Sequence, residues 1–175
     1  MAISSLILGG ARSGKSAFAQ QLAEESGKDC LYIATAQAFD AEMAERIARH
    51  RMDRGPRWQT VEEPLAIADA LRRHDRGGLV MLVDCLTLWL SNVLLAGRHP
   101  DEESRQLLQA ASACAADTLF VSNEVGLGIV PETRLGREFR DHAGRLHQHL
   151  AGRCDRVALM VAGLPLWIKQ KPGSP

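Results

Sequence analysis

Eight consecutive residues, Gly9-Gly10-Ala11-Arg12-Ser13-Gly14-Lys15-Ser16, constrain this chain more than any other feature. They follow the apolar run Ile3 to Leu8. They precede a helical stripe of Ala17, Phe18, Leu22 and Ala23 that stops at Gly27. The pattern G-x-x-x-x-G-K-[ST] between a strand and an amphipathic helix describes a phosphate-binding loop. Glycines let successive N–H groups turn toward one anion, and the helix behind them adds its positive end. In such a loop Lys15 reaches the β- and γ-phosphates and Ser16 is placed to ligate Mg²⁺.

A loop of this kind needs a parallel sheet behind it, and the rest of the chain supplies the pieces. Further apolar runs occur at Cys30 to Ala34, Leu79 to Val83, Thr118 to Val121 and Val157 to Val161. They are continuous, not alternating, as strands covered on both faces require. Between them fall helical stripes: Met43, Ala44, Ile47 and Ala48; then Leu107, Leu108, Ala111 and Ala115. Leu135, Phe139, Ala143, Leu146 and Leu150 recur at helical spacing, with Pro131 near the start and Gly152 near the end. Cys85 to Leu95 is apolar nearly all round, which predicts burial or a subunit interface. The alternation predicts one α/β domain over residues 1–175, a mostly parallel sheet flanked by helices. Only the tail, residues 169–175, reads as loose.

Composition narrows the function classes. The 175 residues are 46% apolar and 24% charged, an ordinary globular balance. Lys plus Arg and Asp plus Glu each number 21, so wholesale binding of nucleic acid or anionic membrane is not expected. No apolar run is long enough to span a bilayer, and the start of the chain lacks the basic region of a signal peptide. The four cysteines form no C-x-x-C pair, which fits a reducing, cytoplasmic setting. No Asn-Lys-x-Asp guanine reader is present, and the chain is short for a motor or helicase. A small-molecule phosphotransferase fits.

Two further clusters bear on chemistry. Val80-Met81-Leu82-Val83-Asp84 is an apolar strand ending in an acid. Asp84 is either a second metal ligand beside the loop or the N-cap of the helix that follows. Arg46, Arg49, His50, Arg51, Arg54 and Arg57 lie within twelve residues, opposed only by Asp53. Arg46, His50 and Arg54 share one helical face. This is either a solvated basic face with an incidental imidazole, or a set of phosphate clamps around a nucleophilic His50. His74, His99, His142, His147 and His149 are expected in surface or capping roles.

The chain resembles the bifunctional adenosylcobinamide kinase / adenosylcobinamide-phosphate guanylyltransferase family of cobalamin assembly. The match runs through Gly9 to Ser16, Tyr32-Ile33-Ala34-Thr35-Ala36, Glu42 to His50, Asp84 to Asn92, and Val121 to Glu132. The resemblance implies a RecA-like P-loop NTPase fold, typically trimeric, and two reactions. ATP or GTP phosphorylates adenosylcobinamide; GMP then passes from GTP, through a histidine–GMP intermediate, to adenosylcobinamide phosphate. By position the histidine is His50. Nucleotide contacts fall on Gly9, Gly10, Ala11, Arg12, Ser13, Gly14, Lys15, Ser16, Ala34, Thr35, Ala36, Arg51, Met52, Asp53, Arg54, Glu62 and Asp84, with Mg²⁺ on Ser16 and Asp84. A kinase without guanylyl transfer is the alternative.

Overall fold

The computed structural model describes residues 2–37 and 55–170. The helical stripe at Met43 to Ala48, and Arg46 to Arg54 with His50, Arg51, Met52 and Asp53, lie outside the described residues. Among the described residues, seven strands form one sheet: β1 (Ser4–Gly9), β2 (Asp29–Ala34), β3 (Trp58–Glu62), β4 (Leu79–Asp84), β5 (Asp117–Asn123), β6 (Arg156–Val161) and β7 (Leu164–Gln170). Their spatial order is β3-β2-β4-β5-β1-β6-β7. All neighbours are parallel except β6 and β7, which form an antiparallel hairpin.

The five helices described are α1 (Lys15–Glu25), α2 (Ile67–His74), α3 (Leu86–Leu95), α4 (Pro100–Ala113) and α5 (Arg134–Arg153). Among the described residues, α1 alone covers one face of the sheet. Its Ala19 and Ala23 pack with Ile7, Tyr32, Leu82, Val121 and Met160. The other four helices cover the opposite face, where Leu71, Trp89, Leu107 and Leu146 meet Leu6, Ile33, Met81 and Phe120. Side chains alternate between the faces along a strand, so burial of both explains the unbroken apolar runs of β1, β2, β4 and β5.

Each helix has a local reason to begin. Gly14, at φ 90°, turns the chain into α1. Pro100 stands at the first turn of α4, followed by Asp101, Glu102 and Glu103 facing the positive helix end. Thr133 caps α5, its hydroxyl accepting from the Gly136 N–H at 3.1 Å.

The structure adds β3, α2 and β7 to the elements expected from sequence. Both strands are sheet edges. β3 is half-exposed, and β7 carries Pro165 and open leucines, so neither has the continuous apolar signature of a central strand. The expected loose tail is corrected at its start: Lys169 and Gln170 belong to β7 and pair with Val157 and Arg156. Ala115 falls beyond the end of α4. The segment from Cys85 is mainly a core helix, with Leu86, Trp89, Leu90 and Val93 inaccessible to solvent and only Leu88 and Leu95 open.

Candidate active site

The carboxyl ends of the parallel strands gather most of the described site residues. Glu62, Ala34 and Asp84 stand in one register row across β3, β2 and β4. β5 pairs with β4 on one side and with β1 on the other, so it separates Asp84 from the loop that leaves β1 at Gly9. This is where an open α/β sheet binds ligands.

The loop is tightly built. A side chain on Gly9 would come within 2.4 Å of the Ser13 hydroxyl and 3.0 Å of the Met160 carbonyl, so only glycine fits. The Ser13 N–H reaches the Gly10 carbonyl at 3.3 Å, and the Glu124 N–H closes on the Gly9 carbonyl at 3.0 Å. From the β6–β7 turn, the Gly163 N–H donates to the Ser13 carbonyl at 3.1 Å. The hairpin therefore props the loop from behind. The Ser13 hydroxyl is buried without a hydrogen-bond partner among the described residues, as expected of a cradle built for an anion.

Lys15 opens α1 and is buried, its ammonium donating to the Gly10 carbonyl at 2.7 Å. Burial lowers its pKa, opposed by its electrostatic interactions with Cys85 and Asp84 nearby. A cation held in the dry floor of the loop acts on phosphate charge with little screening. Ser16 follows it on the first turn of α1, half-buried. Ala11, Arg12 and Gly14 are exposed, and Arg12 takes the left-handed φ of 56°.

Asp84 is not a helix cap. The N-cap of α3 is Cys85, without a side-chain capping bond, and the Asp84 carboxylate instead accepts the Tyr32 hydroxyl at 2.8 Å. Ser16 and Asp84 offer hard oxygen donors, as Mg²⁺ prefers when phosphates supply further ligands. No cluster of three metal-binding side chains stands apart from this pair among the described residues.

Thr35 also holds the fold together. It is inaccessible to solvent, and its hydroxyl both donates to the Cys85 carbonyl and accepts from the Cys85 N–H, each at 2.8 Å. Its N–H meets the Asp84 carbonyl at 3.2 Å, and its carbonyl takes the Asn92 amide at 2.8 Å. Thr35 thus locks the end of β2 to the β4–α3 junction.

His147 departs from the expected surface or capping role. It is buried, not superficial, with Nε2 2.7 Å from the Ser122 hydroxyl, itself 3.3 Å from the Thr87 hydroxyl. Thr87 accepts the Asn123 N–H at 2.7 Å. Burial lowers the His147 pKa, opposed by Glu124. His142 is partly buried, against Asp101 at 3.0 Å. It lines a groove of about 850 Å³ between α4 and α5 that holds none of the expected site residues.

A family model for cobinamide kinase / cobinamide phosphate guanyltransferase, CobU, matches residues 5–168. The chain belongs to this family. It is 53% identical over 169 residues to the bifunctional adenosylcobalamin biosynthesis protein CobP of Pseudomonas aeruginosa, covering 95% of this chain and 98% of that one. It is 41% identical over 179 residues to the bifunctional adenosylcobalamin biosynthesis protein CobU of Escherichia coli, covering 94% and 98%. Among solved structures it is similar to the flagellar accessory protein FlaH of Methanocaldococcus jannaschii, with a TM-score of 0.55, 12% identity, and 98% of this chain and 81% of that one covered. It is also similar to the Pyrococcus horikoshii protein PH0250, with a TM-score of 0.58, 8% identity and coverage of 97% and 88%. At those identities the likeness concerns the fold alone, a mostly parallel sheet flanked by helices. As a CobU-family member the chain is an enzyme of the cobinamide kinase and cobinamide phosphate guanyltransferase class, which favours the two-activity reading over a kinase alone.

Proposed function

We propose that this enzyme phosphorylates the aminopropanol hydroxyl of adenosylcobinamide with ATP or GTP, then transfers GMP from GTP to the product, giving adenosylcobinamide-GDP. The observation that carries this reading is Lys15 on the floor of the Gly9–Ser16 loop, close enough to Asp84 to feel its charge, in a chain of this family. The loop N–H groups hold the phosphates, and Lys15 exchanges the Gly10 carbonyl for phosphate oxygens as charge grows on them. The acceptor oxygen attacks the γ-phosphorus while the nucleoside diphosphate leaves and the hydroxyl proton passes to solvent or base. Ser16 and Asp84 would hold Mg²⁺, which when bound neutralises phosphate charge. Ala34, Ala36 and Glu62 border the nucleotide from the ends of β2 and β3. Thr35 stands between Ala34 and Ala36 in this border and anchors it through its bonds to Cys85 and Asn92.

In the second reaction a neutral His50 nitrogen attacks the α-phosphorus of GTP and pyrophosphate leaves. A phosphate oxygen of adenosylcobinamide phosphate then displaces His50 from the phosphorus. Arg46, Arg49, Arg51 and Arg54 keep the imidazole neutral by like-charge repulsion and meet the phosphate charge, with Met52 and Asp53 beside them. These assignments rest on the sequence. A homotrimer suits the apolar edge of the β6–β7 hairpin, where Leu164, Leu166 and Ile168 are each more than half exposed. The four cysteines are unpaired thiols, in keeping with the cytoplasm, and no described helix is long and apolar enough to cross a membrane.

Incubation with α-labelled GTP and denaturing electrophoresis tests the two-step reading. The expected result is an acid-labile, alkali-stable label that His50→Ala abolishes while cobinamide phosphorylation persists. Labelling retained in His50→Ala would move the nucleophile elsewhere.

A further inference from the structure

Asp84 does not choose its own orientation. Its direct neighbour across the β2–β4 pair is Ala34, and Tyr32 stands two residues back on the same strand, opposite Leu82. Residues two apart on a strand share a face, so Tyr32 and Asp84 are diagonal neighbours. The Tyr32 hydroxyl donates to Asp84 Oδ2 at 2.8 Å. The ring is held in turn. It lies edge-on to Trp58, with centroids 6.0 Å apart and planes at 78°. The Trp58 indole N–H donates to Glu24 Oε1 at 2.8 Å, and Glu24 stands near the end of α1, the helix that begins with Lys15 and Ser16. Tyr32 itself is buried.

This arrangement commits one carboxylate oxygen of Asp84 to the protein. Oδ1 makes no hydrogen bond among the described residues. A carboxylate pinned through one oxygen meets a cation through the other, in a fixed direction and without the entropy loss of a freely turning side chain. We propose that Tyr32 is the positioning residue of the divalent-cation site, presenting Asp84 as a one-oxygen ligand, with Trp58 and Glu24 fixing the phenol behind it. The inference rests on the reading of Asp84 as a cation ligand. It assigns Tyr32 no contact with substrate and no share in proton transfer.

The test uses Mn²⁺ as the probe, with a non-hydrolysable GTP analogue and no corrinoid, so that nothing turns over. Free Mn²⁺ is measured by electron paramagnetic resonance for the native enzyme, Tyr32→Phe, Asp84→Asn and the double variant. Tyr32→Phe keeps the ring and its packing and should weaken Mn²⁺ binding about tenfold, the low end for a lost partner of a metal ligand. The double variant should bind no more weakly than Asp84→Asn, because the phenol acts only through that carboxylate. In cobinamide phosphorylation, Tyr32→Phe should raise the Mg²⁺ concentration for half-maximal rate and approach the native rate at saturation. Native Mn²⁺ affinity in Tyr32→Phe, alongside weakened binding in Asp84→Asn, would overturn the positioning role and leave Asp84 as ligand. A lowered melting temperature with unchanged Mn²⁺ affinity would make Tyr32 merely structural. Native Mn²⁺ affinity in Asp84→Asn would remove the cation-ligand reading itself.

Discussion

At the amino ends of the strands, Asp117 accepts the Ile3 N–H at 2.9 Å and the Lys28 ammonium at 2.6 Å; at the carboxyl ends, Lys15 among the described residues holds only a carbonyl of its own loop. The contrast extends to the neighbours. Asp155 takes the N–H and hydroxyl of Ser4, and Asp75 takes the N–H groups of Ala115 and Ala116. Each ties two segments distant in sequence. At the other end the Ser13 hydroxyl is buried without a described partner, and Asp84 is held through one oxygen. Buried polar groups satisfied within the protein stabilise it, whereas those left available cost stability and wait for a ligand. The amino ends of the strands fasten; the carboxyl ends, though tied in part by Thr35 and His147, are the receptor side that keeps polar groups available.

The largest expected effect falls on the receptor side, at the carboxyl ends. Lys15→Ala should lower cobinamide phosphorylation about a hundredfold to a thousandfold, the usual cost of removing a group aimed at transition-state charge. Its unfolding free energy should change by about 1 kcal/mol or less, since the lost bond to Gly10 is offset by removing a charge that burial disfavours. Steady-state kinetics and denaturant titration check the two halves.

Asp117→Ala should do the reverse. It leaves the Ile3 N–H and Lys28 without their partner and should cost about 2–3 kcal/mol in urea unfolding, with kcat nearly native. A large loss of kcat in folded Asp117→Ala would break the division between the two ends.

A smaller effect sharpens it. His147 is buried and its pKa is lowered from 6.5, so the unfolded chain binds its proton first as pH falls. Stability should therefore decline as pH drops below about 6.5 until the lowered native pKa is reached, with a slope of at most about 1.4 kcal/mol per pH unit. Urea titrations between pH 8 and 5 should show this decline in the native enzyme and a flatter profile in His147→Gln. Equal profiles would place the imidazole outside the acid response.

Much of the architecture was legible because its signals are local or periodic. The loop from Gly9 to Ser16 carries its conformation in consecutive residues, and strands buried on both faces cannot conceal their apolar runs. The edge strands were hidden for the converse reason. Trp58-Gln59-Thr60-Val61-Glu62 has one face half open, and Leu164 to Gln170 is largely exposed. His147 lies four residues after Ala143 and beside Leu146 on the buried stripe of α5, so helical spacing already carried the signal of its burial. The bonds of Tyr32 to Asp84 and of Thr35 to Cys85 had no such signal. They join residues about fifty positions apart, and only the parallel register of β2 and β4 brings them together.

Thermal unfolding with and without GTP–Mg²⁺ tests the division between the two ends most directly, for the native enzyme, Lys15→Ala and Asp117→Ala. The native enzyme should melt higher with nucleotide, because a ligand bound only to the folded state stabilises it. Lys15→Ala should begin near the native melting temperature and gain far less from nucleotide. Asp117→Ala should begin several degrees lower and gain as much as the native enzyme. A full nucleotide gain in Lys15→Ala, or its loss in Asp117→Ala, would contradict the assignment of binding to one end of the sheet and fastening to the other.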